Sequence, residues 1–246
     1  PALPISHLGA STSEAQVKVA EQIAEQFVAF FTEGRIVNSS NLSVALDPTL
    51  APFADLAANV GKLVAQLAVG AVEQLVVGCY GKIAEKNTRQ IALFALKGLL
   101  SVGCDSPVTL VNAERIAANR GLTLVEQKSD TRRNYVSVVT LTAKTADGEV
   151  TASCALFDGS IPKIVEIQGF DVDLKPADTL LVMTYSDRPG MVGKIGTILG
   201  DAKINIADMV VGRKKKGETA LIVLTLDDAR SEEHKSELQS PNTISY

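Results

Sequence analysis

The residues best placed to hold a small polar ligand lie between Tyr185 and Ile206. Tyr185-Ser-Asp-Arg-Pro-Gly190 is followed by Gly193-Lys-Ile-Gly196 and then by Asn205-Ile206. Gly190 and Gly193 have no Cβ, so the backbone there can come close to a ligand. The plainer account is a tight turn at Asp187-Arg-Pro-Gly190 and a turn residue at Asn205; the joint spacing favours the ligand. His7 is a second chemical group, one of two histidines in the chain. Imidazole titrates near working pH and suits acid/base chemistry, although a single histidine before a helix is more often structural or exposed. Cys79, Cys104 and Cys154 show neither CxxC spacing nor a disulfide framework. They read as buried thiols in a reducing compartment, with no metal site among them.

Two basic runs carry less. Arg213-Lys-Lys-Lys216 sits at a hairpin between apolar strands and lacks the aromatic interleaving that stacks bases. Lys128, Arg132 and Arg133 read as a solvated loop. The net charge of −4 gives no bulk attraction to nucleic acid or to an anionic membrane. The most apolar region, Leu63 to Val77, is broken by Gln66, Gly70, Glu73 and Gln74, which argues against a membrane span. The apolar share of 46% and charged share of 21% are those of an ordinary globular protein, long enough at 246 residues for one or two domains.

The elements that must position these residues follow from periodicity. Ser11-Thr-Ser-Glu14 forms a capping box, with Ser11 accepting from the backbone three residues on and Glu14 reaching back. The helix it starts runs to Glu33, with Val19, Ile23, Phe27, Phe30 and Phe31 on its apolar side and Gly34 as its stop. Asp47-Pro-Thr-Leu-Ala-Pro-Phe53 marks a boundary. Helices are expected over Phe53 to Val69, Asn87 to Leu100 and Asn112 to Asn119. Strands are expected over Glu73 to Tyr80, Leu122 to Glu126, Tyr135 to Lys144, Glu149 to Phe157 and Lys163 to Ile167, with an Asp-Gly hairpin at Thr145-Ala-Asp-Gly148. Thr179 to Tyr185 alternates as a strand, Met191 to Leu199 is an amphipathic helix, and Asp208 to Gly212 and Thr219 to Leu226 are strands. That β-α-β-β order is most of a ferredoxin-like unit.

These motifs carry a resemblance. The segment from Tyr185 to Ile206 resembles an ACT domain, a small amino-acid-sensing module. In such domains the turn and the helix N-terminus behind it offer N–H groups and a positive dipole end to a ligand carboxylate. The resemblance implies that Asp187, Asn205 and Gly190, with Tyr185 nearby, hold the amino acid. Ser6-His-Leu-Gly-Ala-Ser-Thr12, with Glu14-Ala-Gln16 and the long helix, resembles the end of the catalytic region of NAD-dependent D-2-hydroxyacid dehydrogenases, the phosphoglycerate dehydrogenase family in particular. It implies His7 as the acid/base and Gly9 and Ala10 beside NAD. Val108-Thr-Leu-Val-Asn-Ala113 with Ala117 to Gly121, and Lys163 to Gly169 with Asp173-Leu-Lys175, resemble that family's intervening domain. Lys163 and Lys175 are then the implied anion site for an allosteric ligand or substrate. The family often has a further basic residue where Phe170 stands.

The expectation is therefore an α/β (α+β) chain in four parts. Residues 1–45 are the remnant of a catalytic region, 46–176 the intervening domain, 177–229 an incomplete ACT domain, and 230–246 a tail with no periodicity, taken as non-native. The start at Pro1 looks cut from something longer. With no G-x-G-x-x-G after any strand, the chain alone is expected neither to bind NAD nor to turn over. The family implies a cytoplasmic enzyme that oxidises 3-phospho-D-glycerate with NAD, feedback-regulated by L-serine, and tetrameric when intact. Truncation after the third ACT strand should leave one sheet face partly uncovered and one edge unpaired. One alternative is a stand-alone amino-acid-binding module, which would not need the His7 motif. Another is a relative of iron-sulfur serine dehydratases, which would need clustered cysteines.

Overall fold

The computed structural model describes residues 12–33, 47–131, 134–215 and 217–227. The chain divides into two compact units, residues 1–45 and 46–246. Within the first, helix α1 spans Ser13–Glu33. Its first turn is capped by Thr12, whose hydroxyl accepts from the Ala15 N–H at 3.2 Å. Glu14 pairs with Lys18 one turn on at 2.9 Å. The expected capping residue Ser11 and the expected stop Gly34 lie outside the described residues.

In the second unit, a six-stranded sheet has the order β2-β1-β3-β4-β5-β6. Its elements are α2 (Ala51–Leu67), β1 (Val72–Gly81), α3 (Arg89–Ser101), α4 (Ala113–Asn119), β2 (Thr123–Ser129), β3 (Ser137–Thr145), β4 (Gly148–Phe157), β5 (Ile161–Ile167) and β6 (Phe170–Leu174). Asp47 opens it: its carboxylate takes the Thr49 N–H and hydroxyl and Lys86, which hold its pKa down to about 2. β1 and β2 are parallel, so the chain between them must cross over, and α3 and α4 make that crossing. β3 to β6 follow as an antiparallel meander.

One face of the sheet is the core, with Leu75, Val77, Leu141, Ala143, Ala152 and Cys154 packed against α2 and α3. The two helices approach closely through glycine. A Cβ at Gly98 would overlap the Ala58 carbonyl, and one at Gly61 would overlap the Ala95 carbonyl. On the other face Val138, Ala155 and Val165 pack beside Tyr80 and Tyr135. There the Ser153 hydroxyl donates to Glu166 at 3.1 Å. Ser153 has no second proton, so at 3.0 Å the Thr140 hydroxyl must donate to it.

Burial also sets the thiols. Cys79 is pushed up to about 11 and Cys154 further, both by desolvation, whereas Cys104 is half-buried. Because thiolate is the reactive form, Ellman's reagent on the native chain should titrate Cys104 fast and the other two only on unfolding. Three equally fast thiols would contradict the buried placement.

β6 has no counterpart among the expected strands. It follows a tight turn with Gln168 at φ 51° and Gly169 at φ 74°. Its five residues alternate cleanly, with Phe170, Val172 and Leu174 inward.

The second sheet has the order β7-β9-β8, from β7 (Leu180–Ser186), α5 (Met191–Asp201), β8 (Ile206–Arg213) and β9 (Thr219–Leu226). This is the expected βαββ. Leu181, Met183, Ile222 and Leu224 pack under Ile195 and Leu199 of α5. The opposite face is not open: Val182, Leu221 and Val223 belong to the same core cluster as α2 and the six-stranded sheet. β8 also lies on β6, where a Cβ at Gly212 would come within 2.8 Å of the Asp171 carbonyl. The expected uncovered strip does exist, but on the α5 face along β8, where Met209 and Val211 are 44% and 43% exposed. Among the described residues β7 has an unpaired edge.

Candidate functional site

Among the described residues the turn from β7 into α5 leaves backbone N–H groups without partners at a helix N-terminus. Gly190 stands at φ 88°, the left-handed region that favours glycine, and serves as the N-cap residue with no side chain capping the helix. The Met191 N–H reaches the Arg188 carbonyl at 3.4 Å, and the Lys194 N–H reaches the Gly190 carbonyl at 2.9 Å. Val192 and Gly193 between them have no acceptor for their N–H groups among the described residues. A Cβ at Gly193 would meet open space. Free N–H groups and the positive end of an 11-residue helix dipole therefore face an accessible surface.

Asp187 is held beside this turn by the β8–β9 hairpin. Its carboxylate accepts from the Gly217 N–H at 3.2 Å and from Arg213 at 3.4 Å, and its N–H donates to the Glu218 carbonyl at 2.8 Å. Tyr185, buried in the α5 core, has its phenol pKa raised, mainly by desolvation and further by Asp187. Tyr185, Asp187 and Gly190 thus share one end of the sheet.

Asn205 does not join them. The α5 crossover makes β8 run parallel to β7, so Asn205 at the head of β8 lies at the same end of the sheet as the start of β7, with β9 between them. A seven-residue strand separates the two ends, about 20 Å at roughly 3.3 Å per residue. Asn205 there donates to the Asp227 carboxylate and accepts from the Asp227 N–H at 3.2 Å.

The two lysines are close in register. Ile164 pairs with Leu174, which sets Lys163 across from Lys175 just beyond β6. Lys163 is already engaged, in an ion pair with Asp173 and 5.7 Å over the Phe157 ring. Lys175 is exposed. An anion arriving here competes with Asp173 for Lys163. Lys214 of the hairpin, expected to be plain solvated surface, instead lies 4.8 Å over the Phe170 ring and donates to the Gln168 carbonyl at 3.3 Å. It brings a positive charge to Phe170, but at the far end of β6 from Lys175 and on the strand's inward face. No signal in the hairpin run pointed to that docking. Lys128 donates to the Lys86 carbonyl, and Arg132 and Arg133 lie outside the described residues, as do His7, Gly9 and Ala10. Among the described residues no helix is long and apolar enough to cross a membrane.

Residues 49–168 match the D-3-phosphoglycerate dehydrogenase intervening domain, and residues 179–240 match the ACT domain. The chain is similar to proteins named D-3-phosphoglycerate dehydrogenase. That of Synechocystis is 38% identical over 90% of this chain and 41% of the relative. Those of Bacillus subtilis and Archaeoglobus fulgidus are 34% and 32% identical, over 90% and 94% of this chain and 43% and 45% of the relatives. The chain spans about two-fifths of the length of the curated relatives it matches.

Proposed function

We propose that the chain, whose residues 49–168 match the D-3-phosphoglycerate dehydrogenase intervening domain and whose residues 179–240 match the ACT domain, is the regulatory part of a D-3-phosphoglycerate dehydrogenase. The enzyme oxidises 3-phospho-D-glycerate to 3-phosphohydroxypyruvate with NAD in the cytoplasm, and its ACT domain senses the end product L-serine. The observation that carries the sensing role is the uncapped N-terminus of α5 behind Gly190, beside Asp187. The serine carboxylate takes the free Val192 and Gly193 N–H groups, and its ammonium faces Asp187.

Since Asn205 sits at the opposite end of the sheet, its part in the site comes from a second copy. Serine then lies between two ACT domains, and its binding is linked to their relative position and so to the enzyme's distant catalytic regions. A closed homo-oligomer, a tetramer in the intact enzyme, follows from such pairing. Lys163 and Lys175 serve as the anion site of the intervening domain. His7 is the acid/base, with Gly9 and Ala10 at the cofactor. The described residues offer NAD no cradle: neither sheet is doubly wound, and no strand enters a Gly-rich phosphate turn. No step of the oxidation is assigned to them.

Calorimetry with L-serine on the chain, paired with analytical ultracentrifugation, tests the sensor. Expected results are L-serine binding with added dimer, and a loss of about tenfold or more in affinity for both Asp187→Ala and Asn205→Ala, since each removes a charge-assisted hydrogen bond. Binding that ignores both substitutions, or no binding at millimolar L-serine, would remove the sensing role.

A further inference from the structure

We propose that a second amino-acid site, for a residue with a branched aliphatic side chain, lies between α2 and the segment joining the two domains. A cleft of about 330 Å³ opens there, the size of a small-ligand pocket. Its floor is aliphatic, from Leu63 and Leu67 of α2, Ile164 of β5, and Leu180 and Val182 of β7. Its rim is polar. Asn59, Lys62 and Gln66 fall three and four residues apart and line one stripe of α2. Asp178 and Thr179 line the cleft from the connecting segment.

These polar groups are uncommitted. Among the described residues the Asn59, Lys62, Gln66 and Asp178 side chains make no hydrogen bond or ion pair, although Lys62 and Asp178 line the same cavity. Elsewhere in this unit Lys163 pairs with Asp173, Arg213 with Asp187 and Lys86 with Asp47. One positive and one negative group held apart across an open cleft match a zwitterion better than a simple anion or cation. Lys62, with the Asn59 amide, takes the carboxylate. Asp178 takes the ammonium, helped by the negative dipole end of α2, whose last turn borders the cleft. The aliphatic floor then takes an apolar side chain, and at roughly 25 cal/mol per Å² a branched one gains more than a hydroxymethyl. This site is remote from the α5 turn and does not depend on what binds there.

The first probe is L-leucine, titrated calorimetrically into the chain. L-leucine is expected to bind, with affinity reduced about tenfold or more by Lys62→Met and by Asp178→Asn, as each removes one charge-assisted contact. Both positions are exposed, so the variants should fold, as circular dichroism will verify. 4-Methylpentanoate, which lacks the ammonium, is expected to bind about tenfold more weakly to the native chain and as well as L-leucine to Asp178→Asn. Saturating L-serine is expected to leave L-leucine binding unchanged. The site is overturned by no heat at millimolar L-leucine, by binding indifferent to Lys62→Met, by equal affinity for 4-methylpentanoate, or by competition from L-serine.

Discussion

Gly98→Ala is expected to lower the unfolding free energy by about 3 kcal/mol, the upper range for overpacking a tight core. Added methyl groups usually cost less because a neighbouring side chain rotates aside. Here the Cβ would meet backbone: the Ala58 carbonyl oxygen, with the carbonyl carbon at 2.7 Å and Cα at 2.9 Å. Backbone inside a helix cannot move alone, so α2 and α3 must separate along their length. Gly61 faces α3 in the same way, against Ala95 and the Leu99 N–H. Two glycines one on each helix thus set the interaxial distance of the pair. The control is Gly196→Ala in α5, where the new methyl meets nothing and helix propensity alone should stabilise by up to about 1 kcal/mol. Urea titrations followed by circular dichroism will compare the two. Equal effects, or a neutral Gly98→Ala, would mean that the helices are not held by this contact.

Leu221→Ala is expected to cost about 2–5 kcal/mol, as for other fully enclosed leucines. Leu221 is 1% exposed and belongs to the cluster that includes Leu67, Ile164 and Leu174. Its loss should therefore weaken both domains at once, not just the sheet that carries it. Amide hydrogen exchange tests this: amides of β4 and β5 should lose protection together with those of β7 and β9. Ile222→Ala, which opens the α5 side of the same strand, should loosen the ACT domain first. If Leu221→Ala also leaves β4 and β5 untouched, the two domains share contacts but not stability.

Much of the fold was readable because periodicity and turn chemistry agree. The Asp147-Gly148 hairpin and the amphipathic α5 combine a clear period with a local stop, whereas β1 was legible from its valine content alone, being buried on both faces without alternation. β6 has no expected counterpart because its five residues hold only three apolar positions, Phe170, Val172 and Leu174, separated by Asp171 and Asp173, a residue type depleted in strands. The burial of both faces of β9 was latent in its unbroken run Ala220-Leu-Ile-Val-Leu224, since such a run marks a strand enclosed on two sides. What encloses it could not be named, because that depends on how two domains dock.

The candidate site divides along the same line. Gly190 and Asp187 belong to one turn, and a local reading finds them together. Asn205 is a crossover away, and only the parallel placement of β7 and β8 reveals that it stands at the other end. Lys62 is an ordinary exposed helix lysine in the sequence, and its role in a cleft arises from a segment more than a hundred residues downstream.

The strand order of the smaller sheet also bears on how the chain acquires its shape during synthesis. Among the described residues β7 and β8 are not neighbours; each pairs with β9, which is made after both. Until β9 leaves the ribosome, the apolar strands on either side of it have no native partner, and α5 has only half a surface to settle on. The larger sheet differs, since β3 to β6 can zip one hairpin at a time. Translation therefore delivers a nearly finished intervening domain followed by a nascent segment that is sticky until β9 arrives, the interval in which a holding chaperone has most to protect.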